Sequence, residues 1–145
     1  AQTKGIYIGN FFHWDPNHHA KKMQEDFQFE FARQPFERTY RRMSNLDDMH
    51  ENGIHDYMKY VKFGYGRVTD HACRDIRNGI IARSEGIELV RQYDHVVPGD
   101  ITRWLDYTGM SRNDFEQIAD TFRDPRVWVE NEYGDWIKDN IWDHN

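Results

Sequence analysis

The sequence predicts a mainly α protein: a helical domain of about five to six helices, with one short strand at the N-terminus and a possible β-hairpin near the C-terminus. Three observations lead there. From Leu46 to Arg123 apolar residues recur at the i, i+3, i+4, i+7 spacing of buried helical stripes. Asp-Pro, Ser-x-x-Asp, Asn-Gly and lone Gly punctuate those stripes as start and stop signals. Finally, 15% of the residues are aromatic, with five Trp, nine Phe and eight Tyr, which supplies a core despite the charged surface. A chain of 145 residues is expected to be a single domain, 1–145.

Lys4-Gly-Ile-Tyr-Ile-Gly9 reads as a short buried strand. It has no partner of its own, so it is expected to close the end of a larger sheet or to pair across a homodimer. Asp15 as N-cap and Pro16 at the first helical position start a helix to about Asp26. Residues 28–45 carry weak periodicity and Pro35, and are expected to be irregular. From Leu46 a helix follows with Ile54, Tyr57, Met58 and Val61 inward, and Asp47 and Asp48 fall in its first turn, where the helix dipole favours them.

After Gly64 and Gly66, Thr69 or Asp70 is expected to cap a helix that Asn78-Gly79 ends. Ser84 to Tyr93 forms the next, with Ile87, Val90 and Tyr93 inward. Pro98 opens another, carrying Ile101, Trp104 and Leu105 on one face and stopped by Gly109. Ser111, Asp114, Met110 and Phe115 make a capping box and staple for the clearest helix, whose inner stripe is Phe115, Ile118, Ala119 and Phe122. Val127 to Lys138 alternates around a turn, as a hairpin does, with a terminal helix as the competing reading.

Composition narrows the function. A net charge of −6 argues against nucleic acid and anionic membrane as partners. The single Cys73 forms no internal disulfide and fits a cytoplasmic setting. No apolar run approaches the roughly 20 residues of a membrane span. The first residue is Ala1, so a processed chain or a piece of a longer one is expected. His50 and His55 lie about 140° apart around a helix, His18-His19 diverge likewise, and no metal site is expected. A helix-turn-helix over Pro98 to Arg123 would push Asp114, Glu116 and Asp120 against phosphates, the wrong sign for a DNA reader. Arg33, Arg38, Arg41 and Arg42 form a basic run that is either a solvated face or a clamp for phosphate or carboxylate.

The organising stretch is His55 to Asp70, in which Lys62 and Arg67 bracket Gly64 and Gly66 between two helices. One reading is a tight corner. The other is an anion site, because the first N–H groups of a helix lack internal partners and glycine lets a ligand approach. The candidate binding residues are Lys62, Gly64, Gly66, Arg67 and Thr69, with Asp47, Asp48 and His55 as secondary contacts to hydroxyl or amide groups. Arg67→Ala is expected to weaken binding without unfolding.

Thr39-Tyr40, Leu46-Asp-Asp48, Gly53-Ile-His55, Tyr57, Lys59-Tyr-Val-Lys-Phe-Gly-Tyr-Gly-Arg67, Thr69-Asp70, Ile76-Arg-Asn-Gly79, Glu85-Gly86 and Val90 to Asp94, in this order, give the sequence a family likeness. It resembles the C-terminal part of the N-acetyl sugar amidotransferases of O-antigen and related surface-glycan (lipopolysaccharide) synthesis, members of the PP-loop ATP pyrophosphatase superfamily. The likeness implies an ATP-dependent conversion of an acetamido to an acetamidino group on a nucleotide-linked N-acetyl sugar, with ammonia from a partner glutaminase. The superfamily's nucleotide loop, Ser-Gly-Gly-x-Asp-Ser, is absent. ATP with Mg is therefore expected in a full-length parent and not in this fragment, which names no catalytic residue. On this likeness residues 1–45 are the end of a nucleotide-binding α/β layer, 46–124 a helical domain and 125–145 a tail. Two positions depart from the family pattern: Arg41-Arg42 replace small polar residues, and Ala82 replaces a capping Thr or Ser, a loss of about 1 kcal/mol that a later cap at Ser84 is expected to recover. The alternative function is a non-enzymatic helical interaction domain that docks a glutaminase or self-associates.

Overall fold

The computed structural model describes residues 3–43 and 52–144, which divide into two compact units, Ala1–Phe31 and Ala32–Asn145. In the first unit a 3-10 turn, Ile8–Asn10, precedes helix α1, Pro16–Phe27. Asp15 caps α1 by accepting from the Asn17 N–H at 3.0 Å, and Gln28 ends it in the left-handed region. The strand expected over Lys4 to Gly9 does not form. Among the described residues nothing pairs with it, and Ile6, Tyr7 and Ile8 are exposed at 71%, 83% and 64%, so neither a ladder nor burial holds the run extended.

In the second unit residues 32–43 fold back on themselves as an irregular loop, through Ala32 N–H to Arg42 O at 2.8 Å and Phe36 N–H to Arg41 O at 3.1 Å. Five helices follow: α2, Asn52–Phe63; α3, Arg67–Arg77; α4, Arg83–Tyr93; α5, Ile101–Thr108; and α6, Arg112–Asp120. A hairpin closes the unit, β1, Trp128–Glu130, antiparallel to β2, Trp136–Lys138, with Val129 opposite Ile137. The described residues are thus mainly α, as the stripe spacing predicts.

The core lies between α2, α5 and α6, where Ile54, Val61, Ile101, Phe115 and Ala119 are buried and Tyr57, Met58, Trp104 and Leu105 pack around them. Ser111 caps α6, accepting from the Asp114 N–H at 3.1 Å while its hydroxyl donates to Asp114 Oδ2 at 2.7 Å. α6 keeps only half of its expected stripe inside: Ile118 and Phe122 are about half exposed. α5 starts at Ile101, three residues after Pro98, because the buried Pro98 and the exposed Gly99 form the turn that delivers Asp100 to the start of α2. There the Gly53 N–H donates to Asp100 Oδ2 at 2.7 Å, and a Cβ on Gly53 would sit 2.4 Å from Pro98 Cβ.

Two helix starts differ from expectation. α4 begins at Arg83 with Ala82 at its N-cap and no side-chain cap, so Ser84 lies inside the helix. α3 begins at Arg67 with Gly66 at its N-cap, ahead of Thr69 and Asp70. A side chain from far along the sequence satisfies that start.

Candidate functional site

That side chain is Asp94, at the C-terminal end of α4. Its buried carboxylate accepts from the Gly66 N–H at 3.0 Å and from Thr69 Oγ1 at 2.5 Å. The anion favoured by a free helix N-terminus is thus supplied from within the chain. Of the residues expected to gather round an external anion, Gly66 and Thr69 hold Asp94. Gly64 has φ +75° and lies so close to Val127 and Lys138 that a Cβ would meet Val127 at 2.6 Å, so its role is the corner itself. Lys62 is exposed and stands 5.0 Å over the Phe63 ring. His55 is exposed, with Nδ1 3.1 Å from Asp56 Oδ1. Asp47 and Asp48 lie outside the described residues.

Arg67 does reach a cavity, of about 290 Å³, formed where four segments converge. The loop 36–39 contributes Glu37, Arg38 and Thr39; the start of α2 contributes Asn52, Gly53 and Asp56; α3 contributes Arg67 and His71; and the turn before α5 contributes Gly99 and Asp100. The i, i+4 spacing puts Arg67 and His71 on one face of α3. Arg67 is clamped by Asp56, with Nε 3.0 Å from both carboxylate oxygens and Nη2 2.8 Å from Oδ1. Because Asp56 is buried, this pair is a fixed wall and not a mobile surface bridge.

The basic run divides. Arg38 and Arg41 are buried at 2% and 7% exposure, while Arg33 and Arg42 face solvent, so a solvated face describes only half of it. Arg38 donates to the Asp94 carbonyl at 2.6 Å and to the Val96 carbonyl, and lies 5.3 Å from the Tyr57 ring and 5.8 Å from the Tyr60 ring. Burial lowers its pKa, an effect opposed by the charges of Asp94 and Asp56. Arg41 pairs with buried Asp75 at 2.5 Å, and Asp75 also accepts from the Tyr40 hydroxyl. Burial, reinforced by that bond to Asp75, pushes the Tyr40 phenol up. Next to this network His71 Nδ1 lies 2.6 Å from Thr39 Oγ1. Burial first, then the charges of Arg41, Arg67, Arg74 and Lys59, pull the His71 imidazole down to about 3. The ring is neutral at physiological pH.

A second, apolar groove of about 440 Å³ lies between α2, α5 and α6, lined by Met58, Trp104, Met110, Ile118 and Phe122 with His55 at its edge. Among the described residues no group of three or more His, Cys, Asp or Glu could hold a metal ion, and no helix is long and apolar enough to cross a membrane.

The family described as LPS biosynthesis protein WbpG-like, C-terminal domain, matches residues 18–143. The chain belongs to this family. Both the glycine corner and the polar cavity fall inside the matched region, and the family assigns the chain a role in lipopolysaccharide biosynthesis. Among curated proteins there is no match. For a WbpG-like C-terminal domain the informative residues include four that the linear pattern does not mark, Glu37, Asp56, His71 and Asp100, together with Asp94, which closes the family likeness but whose partners the pattern does not give. Asp94 lies 28 positions from the N–H it caps, and Thr39 lies 32 from His71, so no local spacing joins them.

Proposed function

We propose that this chain is the sugar-shaping C-terminal part of an ATP-dependent N-acetyl sugar amidotransferase, acting on a nucleotide-linked sugar in the cytoplasm. In the net reaction the acetamido oxygen leaves with the activating group and the nitrogen of ammonia takes its place, giving an acetamidino group. The observation that carries this reading is the family match across residues 18–143. The cavity supports it, since a wall of guanidinium, imidazole, carboxylate and amide groups suits the hydroxyl and acyl groups of a sugar.

The described residues do not fit ATP. The one helix start that the sequence offers to a phosphate is filled by Asp94, and Glu37, Asp56 and Asp100 border the cavity. ATP and Mg therefore belong to the part of the full-length protein that carries a nucleotide loop, and a glutaminase is the source of ammonia. The test is to supply full-length protein with ATP, ammonium and a panel of nucleotide-linked acetamido and diacetamido sugars. Mass spectrometry should find one oxygen replaced by NH together with ATP consumption. Absence of both for every sugar overturns the assignment.

The apolar groove favours a second reading, in which this domain docks a glutaminase or a second copy of itself. Sedimentation of the chain over a concentration series separates the two forms of that reading: self-association appears without added partner, and glutaminase docking does not.

A further inference from the structure

His71 carries more information than a buried ring usually does. Thr39 Oγ1 accepts the Arg41 N–H at 3.4 Å and lies 2.6 Å from His71 Nδ1. With its hydroxyl hydrogen turned to Nδ1, Thr39 uses both its acceptor and its donor capacity among the described residues, and this is the arrangement from which the tautomer follows. An imidazole that accepts at Nδ1 and is neutral carries its proton on Nε2. Nε2 in turn has no partner among the described residues. It is not among the buried unpaired atoms either, so its opening is onto the cavity that His71 lines. The fold thus holds a neutral N–H donor, on a residue only 6% exposed, against an open polar space.

The surroundings decide what it meets. Arg38 donates to two backbone carbonyls and Arg67 to Asp56, while Glu37 and Asp100 accept from the Gly99 and Gly53 N–H groups. An anion entering the cavity would face three carboxylates against two guanidiniums, one of which Asp56 already clamps. An uncharged group escapes that net repulsion and can still take the His71 N–H. At about 290 Å³ the space is near the bottom of the small-ligand range, roughly 300–1,000 Å³, and suits one sugar ring with its acyl group, not a whole nucleotide sugar.

We propose that His71 is a specificity-determining residue of this cavity, donating from Nε2 to a neutral oxygen of the ligand, an acetamido carbonyl or a sugar hydroxyl, while the carboxylates turn the anionic end of the substrate away. This rests on the sugar-binding reading above and assigns which end of the sugar enters. Thr39 acts as the positioning residue that fixes the tautomer.

The experiment uses the 145-residue chain and three probes: methyl 2-acetamido-glucoside, methyl glucoside and glucuronate. Long-range nitrogen-proton spectra of His71 should show the Nε2–H tautomer at pH 7, and its Nε2 resonance should move on adding the acetamido glycoside. A response to that probe alone assigns the acyl carbonyl, and an equal response to methyl glucoside assigns a hydroxyl. His71→Phe should weaken binding about tenfold, the worth of one hydrogen bond, and His71→Gln should restore most of it. Thr39→Val should shift the tautomer population while leaving the fold intact. An Nδ1–H tautomer, tighter binding of glucuronate, unchanged affinity in His71→Phe or no response to any probe each overturns the proposal. The amidine assay on full-length protein is independent, so product formation without a His71 response would sink this inference and spare the assigned activity.

Discussion

Helix α3 presents two faces built from the same materials, and they end differently. On one, Gly66 and Thr69 offer an N–H and a hydroxyl to an anion, and Asp94 fills the place. On the other, Arg67 and His71 look into a cavity; Arg67 is paired by Asp56, whereas His71 Nε2 has no partner among the described residues. Both faces combine a helix start, a glycine corner and positive charge. What separates them is where the compensating carboxylate comes from: α4 delivers one directly onto the helix axis, and α2 delivers one only to the guanidinium. A glycine-rich helix start therefore reports that an anion is wanted, and the rest of the chain decides whether it is resident or a visitor.

The strongest way to break the cavity face is Arg67→Ala. It leaves the buried Asp56 carboxylate without its cation, which costs about 3–5 kcal/mol. Urea unfolding should show that loss, alongside the weakened binding expected of Arg67→Ala. Arg67→Lys should recover part of it, since a lysine cannot reproduce the two-pronged contact. The other face is broken by Asp94→Ala, which strips the α3 start of a charged acceptor for two donors, a loss of about 2–3 kcal/mol. Formate added to Asp94→Ala should raise its unfolding midpoint and leave the parent's unchanged, because only the variant has the seat vacant. A formate response in both proteins, or in neither, contradicts a helix start filled by its own aspartate.

His71 adds a pH dependence that belongs to the cavity face alone. In the unfolded chain its imidazole takes up a proton near its ordinary 6.5, while in the folded chain it does so only at about 3. Between these values the unfolded state binds more protons, so stability is full above about pH 6.5 and falls as pH drops, by up to about 1.4 kcal/mol per unit. Unfolding midpoints from pH 7 to pH 5 should decline, and His71→Gln should flatten that decline. An equal slope in the variant would place the acid sensitivity elsewhere.

Much of the architecture was legible because helices announce themselves locally. The Ser111 cap, the Asp15-Pro16 start, the Gly109 stop and the Ile54 to Val61 stripe each depend on residues within about two turns of one another. The run Ile6-Tyr-Ile8 misled because apolar residues between glycines indicate a strand only if a neighbouring strand exists. The site was legible in part. Arg67 stood out through its glycines, but Asp56 looked like an ordinary helical aspartate, and His71 like any histidine two residues from a cysteine. Their meaning comes from Thr39, Arg41 and Asp94, brought together by packing across long sequence separations.

Lys62 supplies the finest test of the contrast. By spacing it mirrors Arg67 across the two glycines, and a linear reading gives both cations the same job. Arg67 sits in a wall with its charge matched, but Lys62 holds its ammonium over the exposed Phe63 ring and does not line the cavity. An exposed cation-π contact is worth about 0.5–1 kcal/mol at most. Lys62→Ala should therefore shift the unfolding free energy by no more than about that amount and leave titration with the acetamido glycoside unchanged. If Lys62→Ala weakened glycoside binding as strongly as His71→Phe, the two cations would have to share one ligand, and the division of α3 into a closed face and an open one would fail.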